Sequence, residues 1–247
     1  MNIFQKYKKV LLFALVAISL TTVVFYVYPI LFPRPTGSVL VDRLREQKND
    51  LETTDLLDYL KNFEIVEDCV LFENCFEFYN AHEEWFSYTN PESMTLPSGH
   101  QYFVISINQK TFKKLGGIRL GNRVPDPSVE NNWFGQRSLF VATGENGHRV
   151  YASIQEGESE PHIPILDETI PYPQTTLYVI FDRQVKKVII TNKEFDYFRE
   201  IDINKASGGT LPNGLFPDGR MHVGYDVEQY SYFIIDKFTI APLDINK

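Results

Sequence analysis

The chain has 247 residues, 43% of them hydrophobic and 14% aromatic, which is enough apolar material for a folded core and excludes a disordered chain. Its 24 basic and 32 acidic residues give a formal net charge of -8. Since Lys6, Lys8 and Lys9 precede a long hydrophobic run, 21 basic residues (24 minus 3) face 32 acidic ones beyond it, which argues against nucleic acid or anionic lipid as the main partner.

The first predicted element is a transmembrane helix over residues 10–33. This stretch has no charged side chain, and about 23 apolar residues at 1.5 Å each cross a hydrocarbon core of roughly 30 Å. The lysines ahead of it predict a cytoplasmic tail of residues 1–9 and an extracytoplasmic remainder, in a single-pass protein of the cell membrane. The alternative is a cleaved signal peptide, with Ala17-Ile18-Ser19 as its candidate cleavage motif, and in either case the rest of the chain is exported.

Residues 34–62 are polar, and imperfectly periodic leucines predict one short helix within a stalk. In residues 63–247, short runs of Val, Ile, Phe, Tyr and Thr alternate with clusters of Gly, Pro, Asn and Asp. This pattern predicts an all-β domain, a jelly-roll β-sandwich of two antiparallel sheets. The clearest predicted strands cover residues 102–107, 138–143, 149–154, 176–181, 187–191, 221–225 and 232–240.

Cysteine and histidine usage gives little support for a metal. Cys69 and Cys75 are the only cysteines, and in an exported domain they predict a disulfide that closes a small loop, with two free thiols as the alternative. The five histidines are scattered, without the spacing of zinc ligands. No cofactor is predicted apart from calcium in the loop described next.

The long polar loop from Pro125 to Gly135 is the first candidate ligand-binding segment. Its aromatic ring, Trp133, can cover the apolar side of a sugar, while Asp126, Asn131 and Asn132 can hold hydroxyl groups. Asp126, Glu130 and Asn131 can equally supply the oxygen ligands that calcium prefers. The alternative is a solvated loop whose Trp133 packs into the core.

The second candidate segment is the tyrosine-rich stretch from residue 225 to 232. Tyr225 and Tyr230 lie close in sequence to Asp226 and Glu228, again an aromatic and carboxylate combination suited to sugars. Tyrosines at a strand edge are also often just half-buried structural residues.

Two late strands carry a family resemblance. A Val223-Gly224 strand is followed by a strand reading Ile235-Asp236-Lys237-Phe238-Thr239-Ile240. This order, over about 70 residues from Thr175 to Leu243, resembles the concanavalin A-like lectin/glucanase superfamily, especially its laminin-G-like members. The resemblance implies a sandwich with one concave sheet whose rim loops bind a ligand. It favours a non-catalytic module for carbohydrate or another surface ligand, with a structural or protein-interaction ectodomain as a further alternative.

The same superfamily includes polysaccharide-cleaving enzymes, whose strand motif E-[I/L]-D-[I/F]-x-E aims three carboxylates into one cleft. The sequence offers Glu200, Ile201 and Asp202, so Glu200 and Asp202 are the catalytic candidates that the resemblance implies. Asn204 or Lys205 stands where the second Glu is required, and neither can protonate a glycosidic oxygen as a carboxylic acid does. A glycoside hydrolase therefore remains the weaker alternative.

Overall fold

A computed structural model describes residues 39–60, 64–67, 74–81, 83, 85–89, 92–111, 114–122, 137–156, 162–171 and 173–245. The predicted transmembrane helix and Cys69 of the predicted disulfide lie outside these residues. Within the described part of the chain, no helix has the length and apolar composition needed to span a bilayer.

The described residues form a β-sandwich with two short α-helices, α1 (Val39–Gln47) and α2 (Ile203–Ala206), and two 3-10 helices, Leu57–Tyr59 and Glu145–Gly147. Each of the seven predicted strands lies within an observed one, which confirms those predictions. The strands are β1 (Thr54–Asp55), β2 (Glu64–Glu67), β3 (Asn74–Asn80), β4 (Phe86–Thr89), β5 (Met94–Thr95), β6 (Tyr102–Thr111), β7 (Gly116–Gly121), β8 (Ser138–Gly144), β9 (Arg149–Gln155), β10 (Ile163–Thr169), β11 (Thr176–Asp182), β12 (Lys187–Asn192), β13 (Phe198–Asp202), β14 (Arg220–Val227) and β15 (Ser231–Leu243).

The strands pair into two antiparallel sheets, as the predicted fold class requires. Sheet A has the order β13-β12-β11-β6-β15-β3-β2, with β1 added to β15. Sheet B has the order β10-β9-β8-β7-β14-β4, with β5 added to β14. Consecutive strands of the chain often lie in different sheets, so the crossovers are those of a jelly roll rather than a simple meander.

The main core lies between the two sheets because alternate residues of each strand point inward. On β6 of sheet A the inward residues include Phe103 and Ile105, and on β14 of sheet B they include Val223 and Val227. The long strand β15 pairs with β3 on one side and β6 on the other, and its register with β6 shifts between Ile235 and Lys237.

The structure places residues 39–60 within the sandwich unit, where the sequence predicts a stalk. Helix α1 packs on the outer face of sheet A, where Leu40, Val41 and Leu44 join a second apolar cluster. Farther along, Leu56, Leu57 and Leu60 enter the main core, and β1 pairs with β15. The leucines are irregularly spaced because the earlier ones pack on the outer face of sheet A and the later ones pack in the main core on its inner face.

We expect the change Leu44→Ala to lower the free energy of unfolding by about 2–5 kcal/mol, since Leu44 is 0% exposed and its loss leaves a cavity under α1. The matched control is Val39→Ala in the same helix, because Val39 is 70% exposed. Urea denaturation of both variants measures the difference. A Leu44→Ala effect no larger than the control would contradict the docking of α1.

Candidate ligand-binding face

The outer face of sheet B carries a buried ion pair. Arg119 on β7 and Asp226 on β14 both point away from the main core, and their side chains are 0% and 1% exposed. Arg119 Nε lies 3.2 Å from Asp226 Oδ2. The two strands are neighbours, with Gly224 opposite Arg119.

Gly224 gives the guanidinium its position. A Cβ atom at this residue would lie 2.6 Å from Arg119 Nη2, which is closer than such atoms approach. The glycine therefore lets the arginine side chain lie across β14 toward β4. There Arg119 Nη2 donates to Ser87 Oγ at 3.3 Å.

The ion pair is incompletely satisfied. Among the described residues, Arg119 Nη1 and Asp226 Oδ2 have no hydrogen-bond partner, although Oδ2 is within ion-pair distance of Nε. Burial raises the pKa of Asp226 to about 6, against the lowering effect of Arg119 and Ser87. Both atoms are buried, so the pair is a structural element of sheet B and offers no direct contact to a ligand.

An aromatic cluster lies on the same face. The rings of Trp85 and Phe140 are edge-on with centroids 5.6 Å apart, and Tyr151 lies 6.2 Å beyond Phe140. Arg149 sits over the Tyr151 ring and pairs with Asp167 through two hydrogen bonds of 2.8 Å. The outer face of sheet B thus combines aromatic rings with charged groups.

His162 stands beside this face, with Nδ1 3.4 Å from Ser153 Oγ. Burial lowers the pKa of His162 to about 4, so the imidazole is neutral at neutral pH. Ser153 is in register with Phe140, which places the histidine on the β10 side of the aromatic cluster.

At one end of sheet B the surface opens into two pockets of about 610 and 420 Å³ that share Asn122 and Arg220. We call this the rim groove. The strand ends that meet here are those of β7, β8, β9 and β14. The residues lining it are Glu92, Ser93, Asn122, Arg137, Glu156, Leu215, Phe216, Pro217, Asp218, Arg220 and His222.

The rim groove offers donors and acceptors of both charges. Arg220 Nε donates to Ser93 Oγ at 2.6 Å, and the Arg220 side chain is exposed. Glu156 accepts from Thr210 through Oε2, while its buried Oε1 has no hydrogen-bond partner among the described residues. Such a set can hold several hydroxyl groups at once.

The groove lies where the first candidate segment leaves the sheet. Asn122 N donates to Arg137 O, and Arg137 N donates to Asn122 Oδ1, both at 2.9 Å. These bonds tie together the two ends of residues 123–136. The predicted ligand and calcium residues Asp126, Glu130, Asn131, Asn132 and Trp133 lie outside the described residues, so their roles remain predictions.

The structure separates the two tyrosines of the second candidate segment. Tyr225 lies in the main core at 0% exposure, and its hydroxyl donates to Gln109 Oε1 at 2.9 Å. This core position corrects the expectation that Tyr225 contacts a ligand, because its ring faces sheet A. Tyr230 is 58% exposed in the β14–β15 turn.

That turn and the rim groove lie at opposite ends of sheet B. Gly121 is opposite His222 at the groove end, whereas Gly116 is opposite Val227 at the turn end. Five residues of strand separate them, roughly 17 Å. The turn that carries Tyr230 is therefore remote from the rim groove.

Glu200 and Asp202 have structural partners on the outer face of sheet A. They lie on its edge strand β13 with Ile201 buried between them. Glu200 pairs with Lys187 at 2.5 Å, and Asp202 caps α2 by accepting from Lys205 N at 2.9 Å. Neither lies in the rim groove. Within the described residues, no cluster of three or more His, Cys, Asp or Glu side chains can hold a metal ion.

Sequence reasoning missed the charged residues of this face. Arg119 lies in the middle of a strand between Gly117 and Gly121, and a charged residue flanked by glycines in a strand was the available signal. Arg137 and Arg220 carry no comparable signal, because they are single arginines next to turns.

Known proteins resemble the chain in fold alone. No protein-family model matches it, and no curated protein matches it. The carbohydrate-binding module CBM66 from Bacillus subtilis is 8% identical, with a TM-score of 0.42 over 78% of this chain and 97% of that one. The carbohydrate recognition domain of Emp46p in its potassium-bound form is 13% identical, with a TM-score of 0.48 over 77% and 93%.

A lectin from Bauhinia forficata in complex with GalNAc is 10% identical, with a TM-score of 0.43 over 78% of this chain and 98% of that chain. These lectins and modules share the concanavalin A-like jelly roll. The two antiparallel sheets described above confirm the predicted β-sandwich.

The titrations of Asp226 and His162 predict opposite effects of pH on stability. The pKa of Asp226 is about 6 in the folded state against an ordinary 3.8, so between these pH values the folded protein binds more protons than the unfolded chain. The free energy of unfolding therefore falls as pH rises through this range. His162 has a folded pKa of about 4 against 6.5, so its contribution grows as pH rises through the same range.

We therefore expect Asp226→Asn to make the free energy of unfolding rise more steeply between pH 4 and 6 than in the parent protein, by on the order of 2 kcal/mol over that range. The variant is also less stable at pH 7, since Arg119 loses its counter-charge. Urea denaturation across the pH range tests the slope, and Asp167→Asn at the exposed Arg149 pair is the control. Parallel slopes for Asp226→Asn and the parent protein would contradict the assigned pKa.

Proposed function

We propose that this protein is a membrane-tethered, extracytoplasmic binding module whose ligand is a carbohydrate. The observation that carries the proposal is the rim groove, where arginine, carboxylate, amide and imidazole groups line two adjoining open pockets at an end of sheet B. Its pockets fall in the range of about 300–1,000 Å³ typical of small-molecule sites.

Two further features support a saccharide ligand. The outer face of sheet B continues from the groove into the aromatic cluster of Trp85, Phe140 and Tyr151, and aromatic rings suit the apolar sides of sugars. Asn122 and Arg137, which line the groove, also flank the residues where Trp133 is predicted to contact the ligand.

The tether is proposed from sequence. Residues 10–33 are free of charge, and the lysines before them favour a cytoplasmic N-terminus. Val39 begins helix α1, so about five residues (34–38) separate the hydrophobic stretch from the sandwich unit. A linker of this length spans at most about 18 Å when extended.

The double change Arg137→Gln and Arg220→Gln should abolish retention on a glycan array, because it removes both guanidinium groups from the rim groove. Both side chains are at least partly exposed, so we expect the free energy of unfolding to change by at most about 1 kcal/mol. The full chain is assayed in a detergent without a sugar headgroup, and Lys237→Gln, an exposed position on sheet A, is the control.

Unchanged retention of the double variant would remove the rim groove from binding. A parent protein that binds no glycan on the array would contradict the carbohydrate assignment and favour the structural or protein-interaction ectodomain.

The tether predicts an uncleaved N-terminus. Mass spectrometry of the membrane-extracted protein should find the hydrophobic stretch intact, and protease added outside intact cells should digest the C-terminal domain. A mature N-terminus at Leu20 would instead identify a cleaved signal peptide.

A further inference from the structure

We propose that a second pocket, at the other end of the sandwich from the rim groove, binds one or two units of a neutral saccharide. This edge pocket has a volume of about 470 Å³ and lies between the β10–β11 connection and the β12–β13 turn. Its walls include Pro171, Pro173, Thr175, Asn192, Glu194 and Tyr197.

The register of sheet B shows that the edge pocket and the rim groove lie at opposite ends of the strands. Thr169, just before the pocket, is opposite Arg149, and Arg149 is opposite Gly144 at the end of β8 that is remote from the groove. Gly121 and Ser138 mark the groove end of the same sheet. The edge pocket and the rim groove therefore cannot hold the same sugar unit.

One wall of the edge pocket is held by backbone bonds to the turn at residues 145–148. Ile170 N donates to His148 O at 2.7 Å, and Gln174 N donates to Gly147 O at 2.9 Å. A Cβ atom at Gly147 would lie 2.8 Å from Gln174 O, so this close approach requires glycine. The wall exists before any ligand binds, which lowers the ordering cost of binding.

The opposite wall is also fixed. The Asn192 side chain donates to Asp196 at 2.5 Å and accepts from Tyr197 N at 3.2 Å. Phe195, between them, has a φ of +59° and stacks in parallel on Tyr178 with centroids 5.7 Å apart. Lys48 lies 4.9 Å from the Phe195 ring, so residues near α1 brace this turn.

The chemistry of the pocket is that of a neutral sugar site. Its apolar lining, which we call the floor, consists of Ile170, two prolines and the half-buried ring of Tyr197, which also contacts the Arg199 guanidinium 4.9 Å from its centroid. The exposed charged residues that line the pocket are called its lip. Glu194 and Asp196 on the lip outnumber Lys193, which disfavours an anionic ligand. The exposed side chains of Lys193 and Glu194 are available to hold hydroxyl groups while an apolar sugar face covers the floor.

Saturation-transfer difference NMR on the full chain, in a detergent without a sugar headgroup, tests the edge pocket. The probes are methyl β-glucopyranoside, methyl β-galactopyranoside and methyl α-mannopyranoside, titrated separately. The background carries Arg137→Gln and Arg220→Gln, so that a failure of the rim groove is scored independently by the glycan array. At least one probe should give a saturable signal in this background.

Tyr197→Leu should raise the Kd of that probe about fivefold to tenfold because it removes the aromatic floor, whereas Tyr197→Phe should leave the Kd unchanged. Glu194→Gln, a change at an exposed position, should raise the Kd severalfold. If Tyr197→Leu does not fold, the Kd of Glu194→Gln alone tests the edge pocket. The proposal is overturned if no probe saturates, or if neither Tyr197→Leu nor Glu194→Gln changes the Kd.

Discussion

The pairing of Arg119 with Asp226 constrains most of the outer face of sheet B. Withdrawing two charges from water costs several kcal/mol for each ion, and their attraction offsets this cost only when the remaining polar atoms are also satisfied. Here the guanidinium needs a glycine beneath it and a serine beyond it, so the identities of Gly224 and Ser87 follow from the position of Arg119. Two of its atoms, Arg119 Nη1 and Asp226 Oδ2, are buried without a hydrogen-bond partner among the described residues, so the pair is held at an energetic cost.

The outer faces of the two sheets have different partners. Sheet A is covered near its centre by α1, which packs on Val104, Ile180 and Ile189, so this part of its outer face is a second core. Sheet B presents aromatic and ionised side chains on its outer face instead. The central residues Arg119, Asp226 and Phe140 of this face are buried, so the described openings for recognition lie at the ends of the sandwich.

The strands could be predicted from the sequence because a short run of Val, Ile, Phe, Tyr and Thr between turn residues is a local property. The runs around Ile105, Val141 and Ile190 have this form, and each predicted strand lies within an observed one. The role of residues 39–60 could not be predicted in this way, since burial of Leu44 depends on a sheet formed by distant residues. The same limit applies to Tyr225, because an aromatic side chain at a strand end fits a core or a surface equally well until the register is known.

The candidate site was harder to predict than the fold. Asn122 and Arg137 line one side of the rim groove, yet Arg220 comes from a strand about 80 residues beyond Arg137. The pairing of β14 with β7 and of β7 with β8 brings the two arginines together. The edge pocket likewise joins a connection and a turn that are both unremarkable in sequence. Sites built from the ends of several strands depend on topology, which local patterns do not encode.

The attachment of β1 to β15 also has a mechanical consequence. The chain enters the sandwich through α1 and then through a two-residue strand, with Thr54 opposite Ile240 and Asp55 opposite Thr239. A pulling force applied ahead of Val39 acts first on the apolar contacts of α1 and next on this short ladder, before it reaches the long pairing of β15 with β6. Under such a force, α1 and β1 therefore detach from sheet A before the two sheets separate.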